Sequence, residues 1–433
     1  MLASIIICII ACLLMILGVL FLPIIKIGRL KLDSYWVVAL LGALALIVTG
    51  LADISQVGAA LISDSAINPV KILTLFISMT VLSIFLDELG FFSYLANVTL
   101  KKAKTSQLKL FLYLYITVSV LTVFTSNDVI ILSFTPFICY FAKNAKISPM
   151  PYLAAEFVAA NTWSMMLIIG NPTNIYLATA YGIDFVSYTS VMLLPTIAAG
   201  SVAFLCLYLV YRKKLAEPIS GEPEDTKITD KLYLWVGIAH LAVCTVGLAT
   251  GSYIGLEMWL ISLICAVSLF LFVAVIAAVR KRKPVELVAC LKRAPWQLIP
   301  FVLGMFVMVI VLADKGVTEG IANLLGDGGT LFKYGLTSFL AANVINNIPM
   351  SVLFCSIIEN VSAAAVSPAV FATVIGSNIG AFLTPIGALA GIMWSSILKS
   401  HDLKFSYLDF LKMGVSVAIP TILAALGVLA LVI

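Results

Sequence analysis

Charged residues are what this sequence has least of. Only 11% of its 433 residues are charged, 62% are hydrophobic, and the mean hydropathy is +1.14. About a quarter of the residues of a soluble domain are usually charged. The composition therefore excludes an ordinary soluble protein and predicts that lipid surrounds most of the chain.

The net charge is +5, but the pattern of basic residues is not that of a nucleic-acid-binding patch. Arginines at positions 29, 212, 280, 282 and 293 all lie in short hydrophilic breaks between apolar runs. Such breaks are typical of the loops that orient membrane helices. We therefore expect a lipid bilayer as partner and no nucleic acid.

Three kinds of functional motif are missing as well. The eight cysteines show no CxxC spacing, which excludes a zinc site or a disulfide framework. His240 and His401 are isolated, so neither a catalytic triad nor a metal site is indicated. No GxxxxGK[ST] motif occurs, and the hydrophilic segments are too short for a nucleotide-binding domain. We expect no enzyme activity and no cofactor, with energy from an ion gradient or from an accessory ATPase.

What is present is a series of long apolar runs. A helix needs about 20 apolar residues to cross the hydrocarbon. Ten runs qualify, near 2–22, 35–52, 69–87, 152–180, 189–211, 232–250, 258–279, 296–313, 367–397 and 411–433. The first has no basic stretch before it and no small-residue cleavage site after it, so it is interpreted as a retained span.

Two further apolar stretches, 107–142 and 331–358, contain polar interruptions at 125–128 and 343–349. We interpret both as re-entrant hairpins. If both termini lie outside the cell, every Lys and Arg cluster falls on the cytoplasmic side of a multi-pass plasma-membrane protein. The first hairpin then enters from the cytoplasm and the second from outside.

The chain is predicted to contain two inverted repeats, residues 1–211 and 232–433. Residues 73–100 match residues 301–325 in their apolar run and polar break, with Gly90 opposite Gly316. Residues 184–197 and 404–422 both contain a polar turn followed by a helix with one proline. The cytoplasmic linker between the repeats, 212–231, contains EPISGEPEDTK, which cannot bury an apolar face.

Four polar segments interrupt the apolar runs, two in each half. They are TSNDV (125–129), IIGNPTNI (168–175), NVINNIP (343–349) and IGSNIGAFLTPIG (375–387). Irregular chain at membrane depth persists only where protein or a water-filled cavity satisfies its backbone. The helix ends so created bind anions or cations. The alternative is that these residues only join or kink helices.

Ionisable residues in these regions are few. Asp128 is the acid at a hairpin break, and an intramembrane carboxylate is costly unless it pairs, binds an ion or exchanges a proton. We assign it proton or sodium coupling, with helix capping as the alternative. Glu156 is a weaker candidate because it lies near the start of its span. Asp87, Glu88, Asp314 and Lys315 are interpreted as interfacial pairs or caps.

Five segments are the most specific evidence for a resemblance to a known family, and they occur in the order found in that family. They are LDELGFF (86–92), NDVIILSFTP (127–136), APWQLIPFVLGM (294–305), NNIP (346–349) and LTPIGALAGIMW (383–394). With them the chain resembles, nearly end to end, the arsenite-efflux permease (ArsB) family. That family belongs to the ion-transporter superfamily, with sodium-dicarboxylate, citrate, NhaD-type sodium/proton and pigmentation P-protein relatives.

The resemblance implies an all-α integral membrane protein with ten transmembrane helices and two re-entrant hairpins. It also implies an elevator mechanism, often within a homodimer. One implied half-site contains Ser126, Asn127, Asp128, Asn171, Thr173 and Asn174. The other contains Asn346, Asn347, Ser377, Asn378 and Thr384. Sodium, if it is the coupling ion, would bind at Asn127, Asp128 and Asn171.

Three functions agree with these features. The first is proton-coupled efflux of arsenite or antimonite, a neutral cargo that amides and hydroxyls can hydrogen-bond. The second is sodium- or proton-coupled transport of a dicarboxylate or another oxyanion at helix N-termini. The third is sodium/proton antiport through Asp128. A channel or a non-transporting scaffold does not explain two pairs of broken helices.

Overall fold

The computed structural model describes residues 2–22, 24–27, 30–63, 68–103, 106–217, 228–401, 403 and 405–433. Half of the predicted linker, residues 218–227, and also Arg29 and Lys404, lie outside these ranges. The elements before the linker are α1 (Leu2–Phe21), β1 (Ile24–Ile27), β2 (Leu30–Asp33), α2 (Ser34–Val48), α3 (Ile54–Ile62), α4 (Pro69–Glu88), α5 (Phe91–Ala103), α6 (Gln107–Phe124), α7 (Asn127–Asn144), α8 (Met150–Trp163), α9 (Pro172–Ala180) and α10 (Phe185–Tyr211).

The elements after the linker are all helical. They are α11 (Lys231–Gly251), α12 (Met258–Val279), α13 (Val285–Arg293), α14 (Leu298–Asp314), α15 (Val317–Leu325), α16 (Thr330–Ile345), α17 (Asn347–Ile358), α18 (Ala363–Gly380), α19 (Leu389–Ser400) and α20 (Tyr407–Val432).

Eight helical segments among the described residues are long and apolar enough to cross a membrane. They are Pro69–Glu88, Gln107–Phe124, Phe185–Tyr211, Lys231–Gly251, Met258–Val279, Val285–Asp314, Ala363–Gly380 and Tyr407–Val432. Shorter apolar helices occur in α1, α2, α17 and α19. The chain is thus a multi-span helical membrane protein, and the count of ten spans stays a prediction.

Two predicted spans are each divided into two helices. The run 152–180 contains α8 and α9, and the run 367–397 contains α18 and α19. In each, the ladder of backbone hydrogen bonds stops in a polar segment rich in Gly and Pro, which disfavour a continuous helix.

A small β-hairpin follows α1 and corrects the strictly all-α expectation. Strands β1 and β2 pair antiparallel, with Ile24 opposite Asp33 and Ile27 opposite Leu30. Apolar and charged residues alternate in 25–27 and 30–33. Such alternation favours a strand over a continuation of α1.

The order of elements from α4 to α10 is repeated from α14 to α20. Each series has a long helix, a short helix, two hairpin helices, a broken pair and a long helix with an internal proline, Pro195 or Pro420. Packing is reciprocal, because α2 contacts α14 while α12 contacts α4, and α9 contacts α17 while α19 contacts α7. Two related halves would produce this pattern, and the inverted orientation of the second stays a prediction.

Ion pairs join helix ends near the linker. The Arg293 guanidinium contacts the carboxylates of Asp87, at 2.6 Å, and Glu88, at 2.5 Å. Asp230, which precedes α11, pairs with Arg280. Burial tends to raise the pKa of Asp230, but hydrogen bonds from the Tyr233 amide and from Arg280 outweigh burial, and the net pKa is below its ordinary value. Asp87 and Glu88 thus form interhelical ion pairs.

Candidate functional site

Both polar hairpin tips interrupt their helices where the sequence predicted. In the first hairpin, Thr125 and Ser126 are extended between α6 and α7. In the second, Asn346 alone separates α16 from α17 and has φ +70° and ψ 153°. This combination of angles is found almost only for glycine, so Asn346 has a strained backbone that the surrounding structure must hold. The two hairpins therefore place the N-termini of α7 and α17 at their tips.

The two broken helices also restart within the protein. After α8 the chain makes a short 3-10 turn at Ile168–Gly170, and Asn171 caps α9 by accepting from the Thr173 amide. A Cβ at Gly170 would lie 2.1 Å from the Ser164 carbonyl oxygen, so this bend requires glycine. In the second half, irregular residues 381–388 separate α18 from α19.

Asn378 of α18 holds the first broken segment. Its Oδ1 accepts from Ser164 Oγ at 2.9 Å and from Asn171 Nδ2 at 3.0 Å. Its Nδ2 donates to Asn174 Oδ1 at 2.7 Å and to the Val374 carbonyl at 2.8 Å. An amide side chain has two donors and two acceptor sites, so all four are used. Three of the four bonds join the two halves.

The rest of this segment is fixed by its own side chains. Asn174 Nδ2 donates to the carbonyls of Ser164 at 2.8 Å and Leu167 at 3.2 Å. Asn171 Oδ1 accepts from the Thr173 amide and hydroxyl, each at 3.1 Å. The amides predicted to bind cargo thus also satisfy the broken backbone.

Each hairpin tip is hydrogen-bonded to a neighbouring element. In the first, Asn127 Nδ2 donates to Asn161 Oδ1 of α8 at 3.0 Å. In the second, Asn346 Nδ2 donates to the Ile386 carbonyl and the Asn347 amide donates to the Gly387 carbonyl, both at 3.0 Å. Each tip therefore rests on an element of its own half.

Hydrogen bonds connect some of the predicted site residues across the two halves. Asn378 bonds with Asn171 and Asn174 of the other half. Thr384 donates to Asn343 Oδ1 at 2.7 Å. Among the described residues, no direct hydrogen bond joins the 126–128 tip to residues 171–174. Asn161 and Ser164 were not predicted, because they lie within or just beyond a regular helical pattern. Asn343 lies in the predicted polar segment 343–349 but was not named as a site residue.

An apolar cavity lies beside the tip of the second hairpin. It is lined from α1, α2 and α14 by Cys12, Met15, Ile16, Tyr35 and Phe301, and from the second hairpin and the 386–392 region by Ile345, Asn346, Ile386, Leu389 and Ile392. The Tyr35 hydroxyl interacts electrostatically with Asp128 and lies beside the Gln297 side chain. Tyr35 thus brings the acid of the first hairpin near the tip of the second. Sequence patterns did not single out Tyr35 or Gln297.

Several buried polar atoms in this region have no hydrogen-bond partner. They are Ser126 Oγ, Asn347 Oδ1, Thr373 Oγ1 and Ser377 Oγ. Buried polar groups are nearly always paired, so these atoms are available to water or to a ligand. Three of them belong to residues predicted for the site.

The charge of the region is low and of one sign. Segments 125–129, 164–174, 343–349 and 375–389 contain no Lys, Arg or His, and Asp128 is their one acid. Asp128 is only partly buried, and the described residues contain no cluster of three or more His, Cys, Asp or Glu side chains that could hold a metal ion. The site is therefore suited to polar cargo recognised by amides, hydroxyls and helix termini.

Comparison with known proteins identifies the family. The citrate transporter family (CitMHS) matches residues 25–376. The arsenical pump membrane proteins of Escherichia coli (strain K12) and Yersinia enterocolitica are each 29% identical over 375 residues, 82% of this chain and 85% of each relative. The YdaH transporter structure of Alcanivorax borkumensis has a TM-score of 0.55 and 16% identity, covering 99% of this chain and 97% of that one, which shows a shared fold.

These relatives are membrane transporters rather than enzymes, and the predicted resemblance to the arsenite-efflux permeases is confirmed. The chain belongs to the citrate transporter family of membrane transport proteins.

Proposed function

We propose that this secondary transporter exports arsenite or antimonite in exchange for protons by an elevator movement. The main observation is the chemistry of the site, where amides and hydroxyls occur without a cation. Arsenous acid is a neutral, polyol-like molecule at neutral pH, and it needs hydrogen-bond donors and acceptors but no counter-charge. The unpaired atoms of Ser126, Asn347 and Ser377 supply both.

The arrangement of helices supports an elevator movement. Helices α1, α2 and α14 pack together, as do α4, α11 and α12, whereas the hairpins and broken helices pack mainly among themselves and with α10 and α20. The cavity described above lies between these groups. A second cavity is lined by Phe76 and Val302 on one side and by Tyr176 and Ile348 on the other. Apolar, loosely filled boundaries would allow one group to slide along the other.

The hydrogen bonds favour a proton over sodium as the coupling ion at Asp128. A sodium ion at Asn127, Asp128 and Asn171 would need their side-chain oxygens. Asn171 Oδ1 already accepts two hydrogen bonds, and Asn127 Oδ1 accepts one from the Asp128 amide. The Asp128 side chain is partly exposed and can exchange a proton with water.

Transport in proteoliposomes tests the proposal. Purified protein should transport arsenite and antimonite when a pH gradient is imposed, and much less when only a sodium gradient is imposed. Liposomes without protein give the background. If neither gradient drives arsenite or antimonite, the proposed cargo is wrong.

Carboxylate transport is the second candidate, and two observations favour it. The family to which the chain belongs is described as a citrate transporter family. The N-termini of α7, α9, α17 and α19 all lie at the polar breaks, and the positive end of a helix dipole attracts anions. Citrate and succinate in the same assay separate the candidates, because their gradient-driven uptake without arsenite transport would support this one.

A further inference from the structure

Helix α8 contains a buried carboxyl group that the coupling proposal does not use. The Glu156 side chain is 0% exposed. Its Oε1 accepts from Thr135 Oγ1 of α7 at 2.8 Å. The indole of Trp394, on α19, lies beside the same carboxyl and packs on Phe157, with ring centroids 5.2 Å apart. Two helices that begin at polar breaks thus enclose the carboxyl, and α7 supplies the one hydrogen-bond donor to it among the described residues.

No charge near Glu156 balances a carboxylate. Helices α10 and α18, which pack on α8, contain no Asp, Glu, Lys, Arg or His. The basic side chains Lys109 of α6, Lys143 of α7 and Lys399 of α19 are exposed, and so are Asp409 and Lys412 of α20. Asp128 lies two turns before Thr135 on α7. The Cys139 thiol of α7 is a titratable neighbour within electrostatic range of Glu156.

An isolated carboxylate in such surroundings costs several kcal/mol, so the neutral, protonated form is the stable one. Its second oxygen, Oε2, makes no hydrogen bond that meets normal geometry. A protonated carboxyl needs fewer donors than a carboxylate. The geometry therefore fits a proton held between α7, α8 and α19.

We propose that Glu156 is a second proton-binding residue of the transport cycle. The carboxyl O–H bond breaks and the proton passes to water when α7 and α19 separate from α8 and water reaches the site. It is restored when they close. The inference rests on the proton-coupled transport proposed above. Glu156 would be a second proton-binding group, which is buried away from water in this conformation, whereas Asp128 is partly exposed.

Glu156→Gln tests the role, because the amide keeps the size and can still accept from Thr135 but cannot release a proton. We expect at least a 10-fold loss of pH-gradient-driven transport, with cargo exchange under no gradient within about 3-fold of wild type, as expected when coupling alone is removed. Glu359→Gln, at an exposed carboxyl after α17, is the matched control and should be unchanged. Wild-type pH-driven transport by Glu156→Gln would overturn the proposal.

Infrared difference spectroscopy gives a second readout that needs no cargo. A pH step on protein in lipid should change the carbonyl band of a protonated carboxyl. That band should be absent from Glu156→Gln and present in Asp128→Asn. If Glu156→Gln does not fold, Thr135→Val should shift the wild-type band by removing its hydrogen bond. A wild-type spectrum without such a band, or one that neither variant changes, would refute the assignment even if no tested cargo is transported.

Discussion

Asn378 shows how one amide connects the two halves. Its four hydrogen bonds end on Ser164, Asn171 and Asn174 of the first half and on Val374 of its own helix. Each partner is itself buried, so water cannot replace a missing bond. Asn378 therefore holds the first broken segment in place, in addition to any contact with cargo.

We predict that Asn378→Ala strongly destabilises the protein. The substitution leaves Asn171 Nδ2 and Asn174 Oδ1 unpaired, whereas Ser164 Oγ keeps its bond to the Asn161 carbonyl. Each unsatisfied buried group costs about 1–3 kcal/mol. Thermal unfolding in detergent measures the loss. The control is Asn360→Ala, because Asn360 is exposed and donates to one carbonyl. It should change stability by about 0.5 kcal/mol or less. Equal melting temperatures for both variants would contradict the role of Asn378.

Asp128 differs from the amides because it can change its charge. We predict that Asp128→Asn folds normally and still exchanges cargo without a gradient. Its pH-gradient-driven transport should fall by at least about 10-fold, because only coupling is lost. Asp314→Asn is the control, since Asp314 forms a surface pair with Lys315. A coupled rate equal to wild type in the Asp128 variant would remove the coupling role.

At the scale of elements, glycines permit a close contact between α16 and α18. A Cβ at Gly376 of α18 would lie 2.1 Å from Ser338 Oγ and 2.4 Å from the Gly335 carbonyl oxygen of α16. Small residues let membrane helices approach at backbone distance. This contact holds the second hairpin against the helix that carries Asn378.

Gly376→Ala should therefore force α16 and α18 apart. Backbone atoms cannot move aside as a flexible side chain can, and overpacking typically costs about 1–3 kcal/mol or more. We expect a lower melting temperature and weaker transport. Gly427→Ala in α20 is the matched control, because no atom lies within 4 Å of its added Cβ. A Gly376→Ala variant as stable as Gly427→Ala would show that the crossing can relax.

The extent of the first break illustrates what local sequence cannot predict. Gly170 and Pro172 predicted a break at 168–175, but α8 already ends at Trp163. Residues 164–167 contain neither Gly nor Pro. Their backbone leaves the helix because Asn174, ten residues later, bonds to the Ser164 carbonyl, and because Ser164 bonds to Asn378. Both partners are set by tertiary packing.

For the whole molecule, the orientation in the membrane decides which hairpin opens to which side. Arg280 and Arg293 form ion pairs near the ends of α11, α12, α13 and α4 that we assign to the cytoplasm. Basic loops are retained on that side. The assignment places both termini outside.

Reporter fusions test this orientation. Alkaline phosphatase, which is active only outside the cytoplasm, should be active when fused after residue 433 and inactive when fused after residue 217. Green fluorescent protein at the same two positions should give the opposite result. Active phosphatase at 217 and inactive phosphatase at 433 would invert the whole topology, and with it the predicted entry sides of the hairpins.

The sequence by itself determined that lipid surrounds the chain, which apolar runs are interrupted by polar segments, and which family it resembles. Hydropathy, Gly and Pro act locally, so a linear pattern is sufficient for these. Only the tertiary structure decided that Asn378 bonds across the halves, that Tyr35 lies near Asp128, and that Glu156 is enclosed by Thr135 and Trp394. These contacts join residues far apart in the chain, and local periodicity contains no information about which distant helix a side chain meets.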